Sequence, residues 1–501
     1  MKERTAAQKW LSAAVILLAL ASASCGEAAR EDPSVQASDS RLDSVSEPAP
    51  ETEEESSGTQ HDKIPEPDIP EMDFGGDSYR ILGYDTCIFT EGLNGEVIND
   101  AVFNRNLQTE SRFNLKIEMV MPSDSIDREL SKLVMGGETT IDLAYGTATN
   151  LGDVLTFGYA RDLKELPYMD FTKLYWYPLA VEGLSCYNRL FMTPSDITVD
   201  AMELTYVVYF NKRILGEYDM EDPYRLVDEN RWTLSQFLSM IRQVSKDLNG
   251  DGVMDKSDLY GIGTFEGRRV GNFMNLLIGT GQFITTQGPD GERVISLDGT
   301  RVQSLIDTVG AVLKDGSVAL DNMHYLASEG WSNQESSPFF AEGHELFRQA
   351  AIQDMQTILR EMQDDFGVLP NPKLDEEQES YYHRAHPFTG MFVVPSTIPD
   401  PERAGAVFTY MTWLSNRMVL PAFYDVTIKQ KRTRDPDAER MLDLVRDTVY
   451  YDFSDVYDTH IPDYVWNAYA AGSYSRVFES SLKKMNKTLS RIMDKLKDLE
   501  S

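Results

Sequence analysis

Between residues 79 and 147 the chain switches repeatedly between the two hydrophobic periods, and that alternation restricts it to one class of fold. Tyr79-Arg80-Ile81-Leu82-Gly83 reads as a buried strand. After a loop through Asn94-Gly95, Ile98, Ala101, Val102 and Leu107 form an apolar stripe at helical spacing that ends near Phe113. Asn114-Leu115-Lys116-Ile117-Glu118-Met119-Val120 alternates with strand period, and Ile126 to Met135 is a second helix closed by Gly136-Gly137. Ile141-Asp142-Leu143-Ala144-Tyr145-Gly146-Thr147 is a further strand running into a glycine-containing loop. Strands alternating with helices imply an α/β lobe built on a parallel sheet. Ligands of such sheets sit beyond the carboxyl ends of the strands, which makes Tyr145 and Thr147 candidate ligand contacts.

The ends of the chain's 501 residues are not all fold. Lys2, Arg4 and Lys9 precede an apolar stretch from Trp10 to Ala21, too short to span a bilayer, and small residues then lead into Cys25. This leader resembles the signal peptide and lipobox of bacterial lipoproteins, with Ser22 where those usually carry Leu. The resemblance implies cleavage after residue 24, lipidation of Cys25 and an extracytoplasmic, membrane-anchored protein on the cell surface or in the periplasm. From Gly26 to about Met72 the chain is Ser, Glu, Asp, Pro, Thr and Gln with almost no large apolar residue, so residues 25–72 are expected to be a disordered tether. No apolar run after residue 25 is long enough for a transmembrane helix. The remaining ~430 residues exceed what one compact core holds, so two lobes are expected.

Charge narrows the partners. With 81 acidic and 47 basic side chains, the formal net charge of −34 argues against nucleic acid or an anionic surface, leaving the lipid as the membrane contact. Three cysteines exclude a disulfide scaffold; Cys87 and Cys186 can pair, but nothing demands it, and both read as small buried residues.

A second resemblance rests on four stretches. Ala201 to Leu215, containing Tyr209-Phe210-Asn211-Lys212, passes from strand to helix, and Trp232-Thr233 follows with Thr233 as N-cap and Gln236 completing a capping box. Phe340-Ala341-Glu342-Gly343-His344-Glu345-Leu346-Phe347, Phe366-Gly367-Val368-Leu369-Pro370-Asn371-Pro372-Lys373, and Phe392-Val393-Val394-Pro395 with the helix from Glu402 to Leu414 come next. In this order they are similar to the extracellular solute-binding proteins of ABC importers, the group that includes carbohydrate binders. The resemblance covers roughly residues 75 to 490 and implies two α/β lobes joined by hinge strands around a ligand cleft. On that pattern lobe 1 is 73–200 with 385–415, and lobe 2 is 201–384 with 416–501. The chain crosses near Ile197 to Leu204, returns near Ala385 to Pro395 and crosses again after Leu414.

Aromatic residues are the ligand signal, because sugar rings present apolar C–H faces and carboxylates or amides take their hydroxyls. Tyr145, Thr147, Trp176, Trp331, Gln353 and Asp354 are the candidate contacts, placed on expected loops at strand ends. Trp232 and Trp413 read as packing residues. Asp247-Leu248-Asn249-Gly250-Asp251-Gly252-Val253-Met254-Asp255-Lys256-Ser257-Asp258 follows the EF-hand loop pattern. Asp247, Asn249, Asp251, Asp255 and Asp258 supply side chains and Val253 its carbonyl, with Gly252 at the sharp turn; a lone structural calcium site is the expectation.

Enzyme motifs fail one by one. In Gly343-His344-Glu345-Leu346-Phe347-Arg348 an arginine stands where a zinc protease needs its second histidine, and no phosphate loop or Gly-x-Ser-x-Gly elbow occurs. His383 and His386 read as surface or hinge residues. The resemblance therefore implies a monomeric, non-enzymatic binder that delivers a small ligand, a carbohydrate ahead of a peptide, to ABC permease subunits. A secreted glycoside hydrolase and a polymer-capturing surface lipoprotein are the alternatives.

Overall fold

Strand β1 (Asp77–Leu82) lies parallel to β2 (Leu115–Val120) and to β3 (Leu143–Thr147), because the connections between them are helices: α1 (Val97–Phe113) and α2 (Ile126–Met135). These positions come from a computed structural model, which describes residues 64–84, 87–265, 271–322, 324, 338–429, 436–457 and 459–499. The leader, Cys25, most of the expected tether and Trp331 lie outside the described residues. Helix α1 stops where Asn114 takes the left-handed conformation, its amide nitrogen 2.6 Å from Asp73 Oδ1.

The chain then builds a second sheet from β4 (Tyr206–Asn211), β5 (Leu259–Thr264), β6 (Ala319–Asp321), β7 (Glu345–Ala351) and β8 (Phe366–Leu369). Strand β4 is antiparallel to both β7 and β8, whereas β5 runs parallel to β7 and β6. Helix α3 (Leu234–Ile241) starts where Thr233 accepts the Gln236 N–H, and buried Trp232 beside it packs on Phe237 and Phe347. Strand β9 (Gly390–Val393) returns to the first lobe and pairs antiparallel with β3, completing a four-stranded sheet. The architecture is therefore α/β with two lobes, each with its own sheet.

Three passages join the lobes. The first lies between Thr193, whose backbone exchanges hydrogen bonds with Phe392, and Tyr206. The second runs from β8 to β9. The third is α4 (Pro401–Lys429), a single helix of 29 residues with Pro421 inside it. The sequence suggests that this helix ends near Leu414; it continues because the polar residues that follow are buried and hydrogen-bonded to neighbouring elements. Ser415 Oγ donates to Met411 O and accepts from Arg105, and Asn416 donates to Asp196 at 2.8 Å. Thr427 Oγ1 donates to Phe423 O and accepts from Gln356 in the second lobe.

Two buried ion pairs brace these passages. Asp196 accepts from Arg446 of α5 (Pro436–Asp447) at 2.7 Å and from Tyr177 at 2.6 Å, and the pair is 0% and 2% exposed. Arg384 grips Asp455 through two hydrogen bonds of 3.0 and 2.8 Å. Residues 64–72, drawn as the end of the tether, lie on the first lobe: Ile64 and Ile69 are buried, and Trp413 Nε1 donates to Ile64 O. Cys87 and Cys186 are not joined by a disulfide; Cys186 is buried as expected, whereas Cys87 is only half-buried. Among the described residues no helix is long and apolar enough to cross a membrane.

Candidate functional site

The carboxyl end of β3 and the start of β9 form one rim of the site. Tyr145 sits there almost fully buried, its ring 5.0 Å from Phe392 and its hydroxyl donating to Asp200 Oδ2 at 2.8 Å. Asp200 also accepts from the Gly390 amide and from Thr198 Oγ1, so one carboxylate ties β3, the first passage and β9 together. Gly390 has no alternative, because a Cβ there would lie 2.1 Å from the Tyr145 hydroxyl oxygen. Tyr145 thus acts as a hinge anchor beneath the surface, and the half-buried Thr147, paired with Gly390, is the part of this pair that reaches the rim.

The carboxyl end of β7 supplies the other rim. Gln353 is exposed and Asp354 is 9% exposed, in the short helical turn that follows Ala351, and the Ile352 amide bonds to Thr205 O of the first passage. Between the two rims runs a file of aromatic rings that sequence reasoning missed. Tyr206 stacks on His386 at 6.0 Å and 22°, and His386 lies 5.2 Å from Phe388, whose ring is 45% exposed. Burial raises the Tyr206 phenol above its ordinary value; Arg384 and Arg348 oppose the shift and Asp354 adds to it. The signal for this file was present: Tyr206 and His386 fall within or beside the two expected crossings.

At the opposite, amino end of β7 lies a buried carboxyl with incomplete solvation. Glu345 is fully buried, accepts from Asn322 Nδ2 at 3.2 Å, and leaves Oε2 without a partner. Its carboxylate fills the space above Gly263, where a Cβ would be 2.0 Å away. Burial pushes the carboxyl up to about 7, against the pull of Arg348 and the Asn322 hydrogen bond. Arg348 is 2% exposed, and its Nε and Nη1 have no partner among the described residues.

Not every expected residue joins the site. Trp176 is 0% exposed, edge-on to Phe408 of α4 at 5.3 Å and against Phe171, and so belongs to the core of the first lobe. It lies on a loop, but between a short helical turn and a helix and not at a strand end, and α4 closes over it. Trp331 is outside the described residues. His383 is no surface residue: it is buried, with Nε2 accepting the Asn371 amide and Nδ1 bonded to Thr448 Oγ1. In the Asp247–Asp258 loop the carboxylates turn to the backbone. Asp247 accepts from Gly250 and Gly252, Asp251 from Val253, Asp255 from Ser257, and Asp258 from Leu248 and Asp255. The oxygen donors suit calcium chemically, but among the described residues no three such side chains converge to hold a metal ion.

No protein-family model matches the chain, and no curated protein matches it in sequence. Solved structures do match its fold. A sugar transporter from Rhizobium etli in an open conformation superposes with a TM-score of 0.54 at 14% identity, covering 84% of this chain and 100% of its own. UspC from M. tuberculosis gives 0.53 at 14% identity over 83% and 100% of the two chains. A cyclo/maltodextrin-binding protein complexed with maltotetraose gives 0.51 at 13% identity over 85% and 99%. The shared fold is the two-lobe fold of solute-binding proteins.

Proposed function

We propose that this protein is an extracytoplasmic solute-binding component of an ABC importer, held at the membrane by a lipid on Cys25, and that its ligand is a carbohydrate. The observation that carries the ligand class is the Tyr206–His386–Phe388 file, ending in an exposed ring and flanked by Gln353 and Asp354. Flat aromatic faces take the C–H side of a pyranose, and the carboxylate and amide take its hydroxyls. The neighbour with maltotetraose and the neighbour described as a sugar transporter support the same class.

Ligand held between the rims contacts both lobes only when they close, and that differential contact shifts the hinge equilibrium toward the closed form. The closed form then delivers its ligand to the permease subunits; the chain itself performs no chemistry. Calorimetry with mono- and oligosaccharides, peptides and amino acids tests the proposal. Phe388→Ala should weaken sugar binding about tenfold, as loss of one stacking face warrants, without lowering stability at this exposed position. Binding of peptides alone would transfer the ligand class to peptides, and turnover of any glycan would overturn the binder.

A further inference from the structure

The net charge of −34 conceals one region of opposite sign. Helix α6 (Ser480–Lys497) buries Met485, Leu489, Met493 and Leu496 against the body and exposes Lys483, Lys484, Lys487, Arg491, Lys495 and Lys497; Asp494 is its one carboxylate. Lys483, Lys487, Arg491 and Lys495 recur every four residues, so they stand one turn apart in a row about 18 Å long. Their partners are neutral: Lys484 lies over the Tyr464 ring and bonds its hydroxyl, Lys495 lies over Phe157 and near the Thr156 hydroxyl, and Lys497 lies over Tyr187. Among the described residues none of the six is within ion-pair distance of a carboxylate. Asp290, Glu292 and Asp494 bear on Tyr187, so the Lys497 end is partly balanced, and exposed Glu479 stands one turn before Lys483 at the other end; the excess of positive charge is greatest between them.

Long cations in a stripe that slants about 40° per turn round the exposed side of the helix suit a broad array of diffuse negative charge better than a single anion. We propose that α6 is a peripheral docking face for a membrane surface containing anionic phospholipid, and that it sets which side of the body faces the bilayer. The total charge does not forbid this. Fields are screened over about 8 Å at physiological salt, whereas a body of this size is about 55 Å across. Charges on the far side of the body therefore act little on a surface that α6 faces. The place of this contact in the cell rests on the anchored reading, but the charge row does not.

Sedimentation with vesicles tests it, using the mature chain from residue 25 with Cys25→Ser so that no acyl chain contributes. Binding to vesicles of roughly one-third phosphatidylglycerol in phosphatidylcholine is expected, with none to phosphatidylcholine alone and loss at high salt. Each basic side chain near such a surface raises partitioning roughly fivefold, so Lys483→Gln, Lys487→Gln, Arg491→Gln and Lys495→Gln together should lower it more than a hundredfold. If that variant fails to fold, Lys487→Glu with Arg491→Glu should produce the same loss. No binding of the parent chain at low salt, or equal binding by either variant, overturns the proposal. Binding to soluble polyglutamate but not to vesicles overturns the lipid and assigns the row to an acidic protein. Acyl labelling of Cys25 reports on the anchor separately, so the two readings fail independently.

Discussion

Replacing Glu345 with glutamine should stabilise the protein at alkaline pH and leave it unchanged in acid. The reasoning starts from a carboxyl whose ordinary value of 4.5 is raised to about 7 by complete burial. The folded chain therefore binds this proton more tightly than the unfolded one, so stability is full below about pH 4.5 and is lost as pH rises toward 7. The full loss corresponds to about 3 kcal/mol. Glutamine keeps the acceptor for Asn322 Nδ2 and fits the space above Gly263, so the substitution removes the ionisation and little else. His383 pulls the other way: burial lowers it from 6.5 to about 3, so it contributes stability above about pH 6.5 that is lost as pH falls. Between pH 8 and pH 5 the Glu345 gain and the His383 loss, each about 2 kcal/mol, oppose one another in the parent chain. Urea unfolding at pH 5 and pH 8, followed by tryptophan fluorescence, separates them. The difference between Glu345→Gln and the parent also removes the contribution of Asp443, itself raised to about 7 by burial. A variant advantage of about 3 kcal/mol at pH 8, falling below about 1 kcal/mol at pH 5, is the expected result. Equal differences at both pH values would refute the buried, ionised Glu345.

Three further outcomes follow from the site. Tyr145→Phe removes the hydrogen bond to Asp200 and should lower unfolding stability by about 1.5–3 kcal/mol, the usual range for a bond to a charged group; Gly390→Ala, which collides with that hydroxyl, should be worse in the same assay. If the Asp247–Asp258 loop takes calcium, millimolar calcium should raise the melting temperature of the parent and not of Asp247→Asn with Asp251→Asn. An unchanged parent melt would remove calcium from this loop and leave it a turn closed by its own backbone bonds.

How much could be read in advance depended on whether the deciding interaction was local. Ile126 to Met135 was legible to the residue, because its apolar spacing and the glycines after it are written in the segment itself. The Thr233 cap was legible for the same reason. Trp176 was not, since an aromatic on a loop looks the same whether a ligand or α4 covers it, and Phe408 comes more than two hundred residues later. The aromatic file was hidden similarly: Tyr206 and His386 meet only because the first and second passages run side by side. The end of α4 was misplaced because Ser415 and Asn416 look like helix-ending polar residues until Arg105 and Asp196 are seen against them.

Those same long-range pairs define how the hinge can work. Asp196–Arg446 joins the first passage to α5, and Asn416 of α4 bonds the same carboxylate, so three segments meet at one buried charge. Removing one member of such a pair strands the other in the core, which costs about 3–5 kcal/mol, whereas replacing both with apolar residues is often close to neutral. Arg446→Met alone should therefore destabilise by that amount, and Asp196→Leu with Arg446→Met should recover part of it in urea unfolding, since Tyr177 and Asn416 then lose their shared acceptor. If the pair is also the pivot, the double variant should regain stability without regaining ligand affinity, because apolar packing fixes volume but not the direction in which the lobes swing. A double variant that recovers both would make the pair a packing element and move the pivot elsewhere, with Arg384–Asp455 the remaining buried pair at the passages.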